Sequence, residues 1–145
     1  MSRAFTLLET LLIIAIIVFL VALIFPLGLD FYKDQQLQSA TQGILQTLRR
    51  AQLKAMAVEQ GSSFSVHFDN ASKTYTLFKG SSYISDDPYN EKFDLPSIIT
   101  VSGPSNIIFS KVEGKLVTSQ TIILNSGSRS QTISINEVGR INLEL

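Results

Sequence analysis

Few residues in this 145-residue sequence have the types and spacing that catalysis requires. There is no cysteine, which excludes disulfides, thiolate metal sites and thiol nucleophiles. There is one histidine, His67, which argues against a His-rich metal site and against a Ser/His/Asp triad. No serine lies in a Gly-x-Ser-x-Gly elbow, and the sequence has neither a P-loop nor a Gly-x-Gly-x-x-Gly run. The sequence therefore predicts a protein that is not an enzyme and needs no cofactor.

His67 and one acidic stretch are the candidates for metal binding. Phe64, Val66 and Phe68 alternate with polar residues in the pattern of a half-buried strand, so we expect His67 on the exposed face. A lone imidazole without cysteine or a second histidine is a poor basis for a metal site. Calcium favours hard oxygen ligands, and one stretch contains five residues that could supply them: Asp86, Asp87, Asn90, Glu91 and Asp94. Their spacing is not that of an EF-hand. We expect a solvated acidic loop and no metal.

Glu9 is a carboxylate in an unusual position, at the edge of a long apolar segment. Every residue from Leu11 to Phe25 is apolar. The roughly 19 residues after Thr10 would span about 28 Å as a helix, close to the hydrocarbon core of a bilayer. The rest of the chain is too small and too polar to cover such a helix, which predicts a membrane segment. A carboxylate deep in it would cost on the order of 2–3 kcal/mol and need a partner, whereas at the interface it would reach water at little cost.

Two ordinary interpretations of this segment leave Glu9 without a function. A cleaved secretory signal needs a basic leader and a small-x-small cleavage site, but only Arg3 precedes the apolar run and residues 25–29 offer no such site. A plain signal anchor fits the length, and Arg3 favours a cytoplasmic N-terminus. Under either interpretation Glu9 has no partner.

A third interpretation comes from residues 5–9, which read Phe-Thr-Leu-Leu-Glu between a short polar leader and the apolar segment. This arrangement resembles the N-terminus of type IV pilins and type II secretion pseudopilins. The resemblance implies that a prepilin peptidase cuts between Ala4 and Phe5 on the cytoplasmic side and N-methylates Phe5. It also implies that Glu9 serves assembly by pairing with the α-amino group of Phe5 on a neighbouring subunit, because a buried carboxylate needs a positive partner. Ala4 stands where the family normally has glycine.

The same resemblance implies a helix interruption at Pro26 and Gly28, since a proline removes a backbone hydrogen bond and bends a helix. Residues 1–4 would be the leader peptide and residues 5–29 the transmembrane and filament-core helix. The expected partners are prepilin peptidase, other pilin or pseudopilin subunits and the inner-membrane assembly platform. The chain would cross the inner (cytoplasmic) membrane once, with a cytoplasmic N-terminus and an extracytoplasmic globular domain, and then enter an envelope-spanning or surface filament.

Beyond Asp30 the sequence predicts an amphipathic helix and then a β-rich domain. Apolar residues recur at steps of three and four from Leu37 to Val58, which indicates one buried face of a helix over residues 30–61 capped by Gly61. Residues 62–145 predict a hairpin over 64–79, a loop over 80–97, and short strands separated by turns. Those strands are expected at 98–101, 106–112, 116–124, 131–135 and 140–145. The fold class is α+β, a long helix on roughly two small antiparallel sheets, the lollipop of a pilin.

This second half is similar to the GspH/FimT group of minor pilins and pseudopilins. The similarity is carried by Arg-Arg-Ala-Gln at residues 49–52, a Phe-rich first strand, and Ile-x-Ile-x-x-x-Gly-Arg-Ile at residues 133–141. Phe109 followed by Gly114 loosely echoes that group's Phe-to-Gly turn. The similarity to this group implies a low-abundance structural subunit near the filament tip that helps initiate or cap assembly. Ordinary core packing and turn formation account for Phe109, Gly114 and Gly139 equally well.

The charge distribution bears on an alternative function, DNA uptake or adhesion by a module carried on the filament. Of 12 acidic and 12 basic residues, Glu9 and Arg3 precede Asp30, which leaves 11 of each sign. Phosphate binding draws on concentrated Lys and Arg, and here only Arg49, Arg50 and Lys54 cluster, while the C-terminus has no basic tail. DNA is therefore not the expected partner. The alternative of a filament-borne module and that of an unprocessed membrane-anchored domain both stay open.

Overall fold

The computed structural model describes the backbone of residues 6–144, and their side chains apart from those of residues 24–28. Helix α1 spans Leu7–Met56 and is followed by a short 3-10 helix, Glu59–Gly61. The chain divides into two compact units, Met1–Asp34 and Gln35–Leu145. In the first unit, residues 7–34 belong to α1. The second unit contains the remainder of α1 and all the described strands.

The described residues of the second unit form eight strands in two antiparallel sheets. They are β1 (Phe64–Asp69), β2 (Thr74–Lys79), β3 (Glu91–Asp94), β4 (Thr100–Ser102), β5 (Asn106–Phe109), β6 (Gln120–Ser126), β7 (Arg129–Ile135) and β8 (Ile141–Glu144). Sheet 1 has the order β3-β2-β1-β5 and sheet 2 the order β4-β6-β7-β8. A helix packed on two antiparallel sheets confirms the predicted α+β class.

The buried face of α1 is the predicted stripe. Its buried residues are Leu37, Ala40, Thr41, Ile44, Leu45, Thr47, Leu48, Ala51 and Ala55. The apolar members of this stripe join one core cluster with apolar residues of both sheets, among them Val66 of β1 and Ile133 of β7. Full burial of a leucine or isoleucine contributes about 1.5–3 kcal/mol, so this stripe holds the helix on the sheets.

The predicted hairpin of β1 and β2 is confirmed, with Phe64 opposite Lys79 and Asp69 opposite Thr74. Its turn is closed by the Asp69 carboxylate, which accepts hydrogen bonds from the amides of Ala71 (2.9 Å) and Ser72 (3.3 Å) and from the Ser72 hydroxyl (2.6 Å). Aspartate favours turns for this reason, because its short side chain bonds to backbone two or three residues ahead.

The predicted loop over residues 80–97 is partly wrong, since it contains strand β3. Phe93 is the one apolar residue of β3 and lies opposite Tyr75 of β2, with ring centroids 5.2 Å apart. One aromatic contact and the β2 ladder thus stabilise a strand that has almost no hydrophobic pattern of its own.

Several element ends also differ from the expectation, among them the end of β5, which stops at Phe109 rather than at residue 112. Helix α1 ends at Met56, before Gly61, and Val58 (φ 54°) and Gln60 (φ 52°) take left-handed backbone conformations after it. Strand β6 begins at Gln120, because Leu116 is held instead by a hydrogen bond from its amide to the Glu137 carbonyl (3.1 Å).

The turn of the β1–β2 hairpin is joined to sheet 2 by Asn70. Its side-chain Nδ2 donates to the Val101 carbonyl at 2.6 Å, and its Oδ1 accepts from the Val101 amide at 2.9 Å. A side-chain amide thus takes the place of a strand partner for β4, which ties the two sheets together.

Candidate assembly surface

Thr6 caps the N-terminus of α1. Its Oγ1 accepts a hydrogen bond from the Glu9 amide at 3.3 Å, and its carbonyl oxygen accepts from the amides of Glu9 (3.0 Å) and Thr10 (3.2 Å). The spacing Thr-x-x-Glu is the sequence signature of a capping box. This signal gives Glu9 a local role in starting the helix, which neither the apolar segment nor the resemblance to pilins predicts.

Glu9 is exposed in the first turn of α1. A negative charge there interacts favourably with the positive end of the helix dipole, by roughly 0.3–1 kcal/mol. Over residues 6–144, no basic side chain lies within ion-pair distance of its carboxylate. Ala4 and Phe5 lie outside the described residues, so the predicted processing site and the predicted pairing of Glu9 with the Phe5 amine stay predictions.

The apolar side chains on both sides of Glu9 in the sequence, from Leu7 to Leu23, are exposed on every side of the helix. Leu7 is 83% exposed, and Ile13, the least exposed large apolar residue of the set, still has 42% of its surface uncovered. The set consists of Leu7, Leu8, Leu11, Leu12, Ile13, Ile14, Ile16, Ile17, Val18, Phe19, Leu20, Val21 and Leu23. A continuous apolar surface of this size marks a site of interaction with lipid or with other protein surfaces. We call these residues the N-terminal apolar surface.

Within the described residues, no helix is long and apolar enough to span a membrane. Pro26 and Gly28 fall in the stretch 24–28, whose side chains are outside the described set, and α1 is assigned as one helix over Leu7–Met56. The predicted interruption at these two residues stays a prediction.

His67 is not simply a solvent-facing strand residue, which corrects the expectation. It lies opposite Asn106 of β5, and Nδ1 donates a hydrogen bond to Asn106 Oδ1 at 2.7 Å. The Tyr83 ring stacks on the imidazole with centroids 4.0 Å apart and meets Phe78 edge-on at 5.4 Å. The segment after β2 therefore covers the outer face of sheet 1, a contact that no local pattern in the sequence indicates.

The oxygen-bearing residues of the stretch 86–94 do not converge on one point. Glu91 faces α1, where its carboxylate pairs with Arg50 (2.6 Å) and Lys54 (3.4 Å). Asp87 instead accepts from the Tyr89 amide at 2.8 Å. Among the described residues there is no group of three or more histidine or acidic side chains able to hold a metal ion.

The basic cluster on α1 is largely neutralised by acidic neighbours. Arg50 pairs with Glu91, and Lys54 pairs with both Glu91 and Glu59, the latter at 3.1 Å. Each of these ion pairs is partly exposed and contributes little to stability on its own. The pairing lowers the positive charge that this face presents to an anionic polymer.

Gln52 joins the two turns that contain Gly114 and Gly139. Its Nε2 donates to the carbonyl oxygens of Gly114 (3.0 Å) and Gly139 (2.8 Å). Gly139 has φ +83°, and a Cβ there would overlap the Gly114 carbonyl oxygen. Phe109 is fully buried in the core. The motif residues thus form a structural junction between α1 and two loops.

Among the described residues, two groups have displaced pKa values, and both serve structure. Hydrogen bonds from the Ser72 hydroxyl and from the Ser72 and Ala71 amides hold the pKa of Asp69 below its usual 3.8. Burial raises the pKa of Tyr75 above its usual 10.0. The first group closes a turn and the second packs beside Gly43, where a Cβ would lie 2.9 Å from the Tyr75 hydroxyl.

Comparisons of the sequence with family models and with curated proteins give no match. Among solved structures, the chain is similar to the minor pseudopilin EpsH from the type 2 secretion system of Vibrio cholerae. The TM-score is 0.57 at 16% sequence identity, and the match covers 75% of this chain and 96% of that chain. The α+β architecture built here from one helix and two antiparallel sheets is therefore a pseudopilin-like fold.

Proposed function

We propose that this protein is a minor pilin or pseudopilin, a non-enzymatic structural subunit that helps initiate or cap a type IV pilus or type II secretion-like filament. The observation that carries the proposal is the N-terminal apolar surface with Glu9 in its first turn, in a chain that has a pseudopilin-like fold. Neither feature alone distinguishes a filament subunit from an anchored domain. Together they match the needs of a subunit that moves from lipid into a helical filament.

The N-terminal apolar surface supports this role because it needs an apolar environment on all sides. In the inner membrane, lipid provides that environment, and in a filament the helices of neighbouring subunits do. Moving this helix from the membrane into a filament costs little hydrophobic free energy, because lipid tails are about as apolar as the side chains of neighbouring helices. A domain that stays anchored would need the lipid alone.

Glu9 supports assembly because its carboxylate, packed among neighbouring helices, would need a positive partner. An uncompensated buried charge costs about 3–5 kcal/mol. The α-amino group that prepilin peptidase would create at Phe5 of an adjacent subunit can supply this partner. The same peptidase would methylate Phe5 after removing residues 1–4.

The proposal assigns a role to each part of the chain. Residues 5–29 form the transmembrane and filament-core helix, interrupted at Pro26 and Gly28, residues 30–61 carry it into the globular part, and residues 62–145 form the extracytoplasmic domain. The partners are the peptidase, other pilin or pseudopilin subunits and the inner-membrane assembly platform.

The mature N-terminus tests the proposal directly. We expect mass spectrometry of the membrane-bound protein, produced together with a prepilin peptidase, to find a chain that begins with N-methylated Phe5. Without the peptidase the chain should retain residues 1–4.

An Ala4→Gly variant is the matched control, because it restores the residue that the family normally has before the cleavage site. If Ala4→Gly is processed while the natural chain keeps residues 1–4, Ala4 blocks cleavage. The proposed maturation would then be wrong and an unprocessed membrane-anchored domain would be the better account.

A further inference from the structure

Two exposed aromatic residues follow the apolar segment within the same compact unit. Phe31 is 70% exposed and Tyr32 is 54% exposed, and both belong to α1 in the unit Met1–Asp34. Among the described residues, neither ring takes part in a ring–ring or cation–ring contact. Packing within the chain therefore does not explain why two large aromatic residues lie here. We call them the aromatic pair.

The place of the aromatic pair along the helix indicates what covers it. The roughly 19 residues from Leu11 to Leu29 span about 28 Å as a helix, close to the thickness of a hydrocarbon core of about 30 Å. The aromatic pair comes directly after this stretch. It therefore lies at the level where lipid chains meet headgroups, and tyrosine is enriched there because its ring is apolar and its hydroxyl can contact water.

The neighbours of the aromatic pair favour a lipid interface over a protein partner. Asp30 and Lys33 stand on either side of it in the sequence, and both side chains are exposed, with a distance of 3.8 Å between their charged groups. The buried centre of a protein–protein interface is depleted in charged residues. A headgroup region accepts aromatic and charged side chains side by side, because a lysine can extend its ammonium group to water.

We propose that Phe31 and Tyr32 anchor α1 at the extracytoplasmic interface of the membrane and thereby hold Glu9 at the cytoplasmic interface. From Glu9 to Tyr32 the helix rises about 34 Å, and a tilt of about 20° shortens this distance only to about 32 Å. A hydrocarbon core of about 30 Å cannot contain both ends. With the rings fixed at one interface, the Glu9 carboxylate reaches water at the other. It then needs a positive partner only when the helix enters a filament.

The inference rests on the membrane location that the proposed function gives to residues 5–29. It needs neither removal of residues 1–4 nor filament assembly, because it concerns the subunit while it is still in the membrane. The unprocessed full chain in lipid vesicles is therefore a sufficient sample.

The test measures depth in the bilayer by tryptophan fluorescence. The sequence has no tryptophan, so each single-tryptophan variant has one reporter. Leu8→Trp and Phe31→Trp report the two ends, Phe19→Trp reports the middle, and Leu53→Trp, at a 65% exposed position of α1 in the other unit, gives the value for a site outside the membrane. The vesicles consist of phosphatidylcholine and phosphatidylglycerol, with quenching bromine atoms on the acyl chain either near the headgroup or near the terminal methyl group.

The proposal predicts a different quenching pattern for the ends and for the middle. Leu8→Trp and Phe31→Trp should be quenched mainly by bromines near the headgroup. Phe19→Trp should be quenched mainly by bromines near the terminal methyl group, because it lies near the centre of the apolar segment.

Removal of the aromatic pair tests whether it sets the depth of the helix. In the Phe19→Trp chain, the double replacement Phe31→Gln and Tyr32→Gln should lower the ratio of deep to shallow quenching by about twofold, because a helix without an interfacial anchor samples several depths. Leu53→Gln is the matched control, since it removes an exposed apolar side chain from α1 outside the membrane segment. It should leave this ratio unchanged.

The outcomes separate failure of this inference from failure of the proposed function. If Phe31→Trp is quenched no more than Leu53→Trp, the rings lie in water and suit a protein partner instead. If it is quenched mainly by the deep bromines, the rings lie in the hydrocarbon core. An unchanged ratio after the double replacement would mean that the rings do not set the depth. Each of these results overturns the anchor alone, whereas an unquenched Phe19→Trp would overturn the membrane segment and the proposed function with it.

Discussion

At the scale of single residues, Glu9 has an observed place in the helix cap and a proposed role in assembly, and the two must be separated. The Glu9 backbone amide, three residues after Thr6, belongs to the helix cap. The charge of the Glu9 side chain would instead serve the proposed ion pair in assembly. The sequence shows both features, because the capping spacing is local and the apolar segment is continuous. The contacts of His67 with Asn106 and Tyr83 could not be predicted from sequence, because both partners come from distant parts of the chain.

Replacement of Glu9 by glutamine distinguishes these roles. Glutamine is accepted at the same position of a capping box, so helix content by circular dichroism should not change. Loss of the charge should lower incorporation into sheared filaments by more than about tenfold, because the ion pair proposed between Glu9 and the Phe5 amine of a neighbouring subunit would lose one partner. Asp30→Asn is the control, since Asp30 is an exposed acid on the same helix whose contact with Lys33 is a long 3.8 Å. Normal incorporation of Glu9→Gln would mean that Glu9 serves only the helix start.

At the scale of elements, the parts predicted well are those with a strong periodic pattern. The buried stripe of α1 and the β1–β2 hairpin follow from apolar periods of 3.6 and 2. Strand β3 was beyond such reasoning because its pattern holds only Phe93, and its place depends on a ladder with β2. The order of the strands in both sheets also depends on long-range packing, which no local pattern encodes.

Two glycine-to-alanine variants separate the cost of backbone strain from the cost of close packing at the junction formed by Gln52. Gly139→Ala places a methyl group against the Gly114 carbonyl and the Gln52 amide, besides the cost of alanine at φ +83°. We expect it to destabilise residues 35–145 by about 2–4 kcal/mol in urea unfolding. Gly127→Ala is the matched control, because Gly127 has φ +62° with no atom within 4 Å of the added methyl, and it should cost only about 1 kcal/mol. Equal losses in the two variants would show that the junction packs loosely.

At the scale of the whole molecule, the two units depend on different surroundings. The Gln35–Leu145 unit has its own core, which draws on α1 and both sheets. The described part of the other unit has no buried apolar residue, and its large apolar side chains are exposed. Folding of the second unit therefore needs no external apolar partner, whereas the first unit does.

This difference predicts how a fragment of residues 35–145 behaves. The fragment retains the apolar core, from Leu37 on the helix to Ile135 on β7, so we expect it to be monomeric without detergent and to unfold in one cooperative transition. Because the sequence has no cysteine, reducing agent should not change its melting temperature. The full chain should self-associate without detergent, since burial of the N-terminal apolar surface is favourable by about 25 cal/mol per Å². Analytical ultracentrifugation of both proteins checks their association, and thermal unfolding checks their stability. A fragment that aggregates or melts without a transition would mean that residues 7–34 contribute to the fold of the domain.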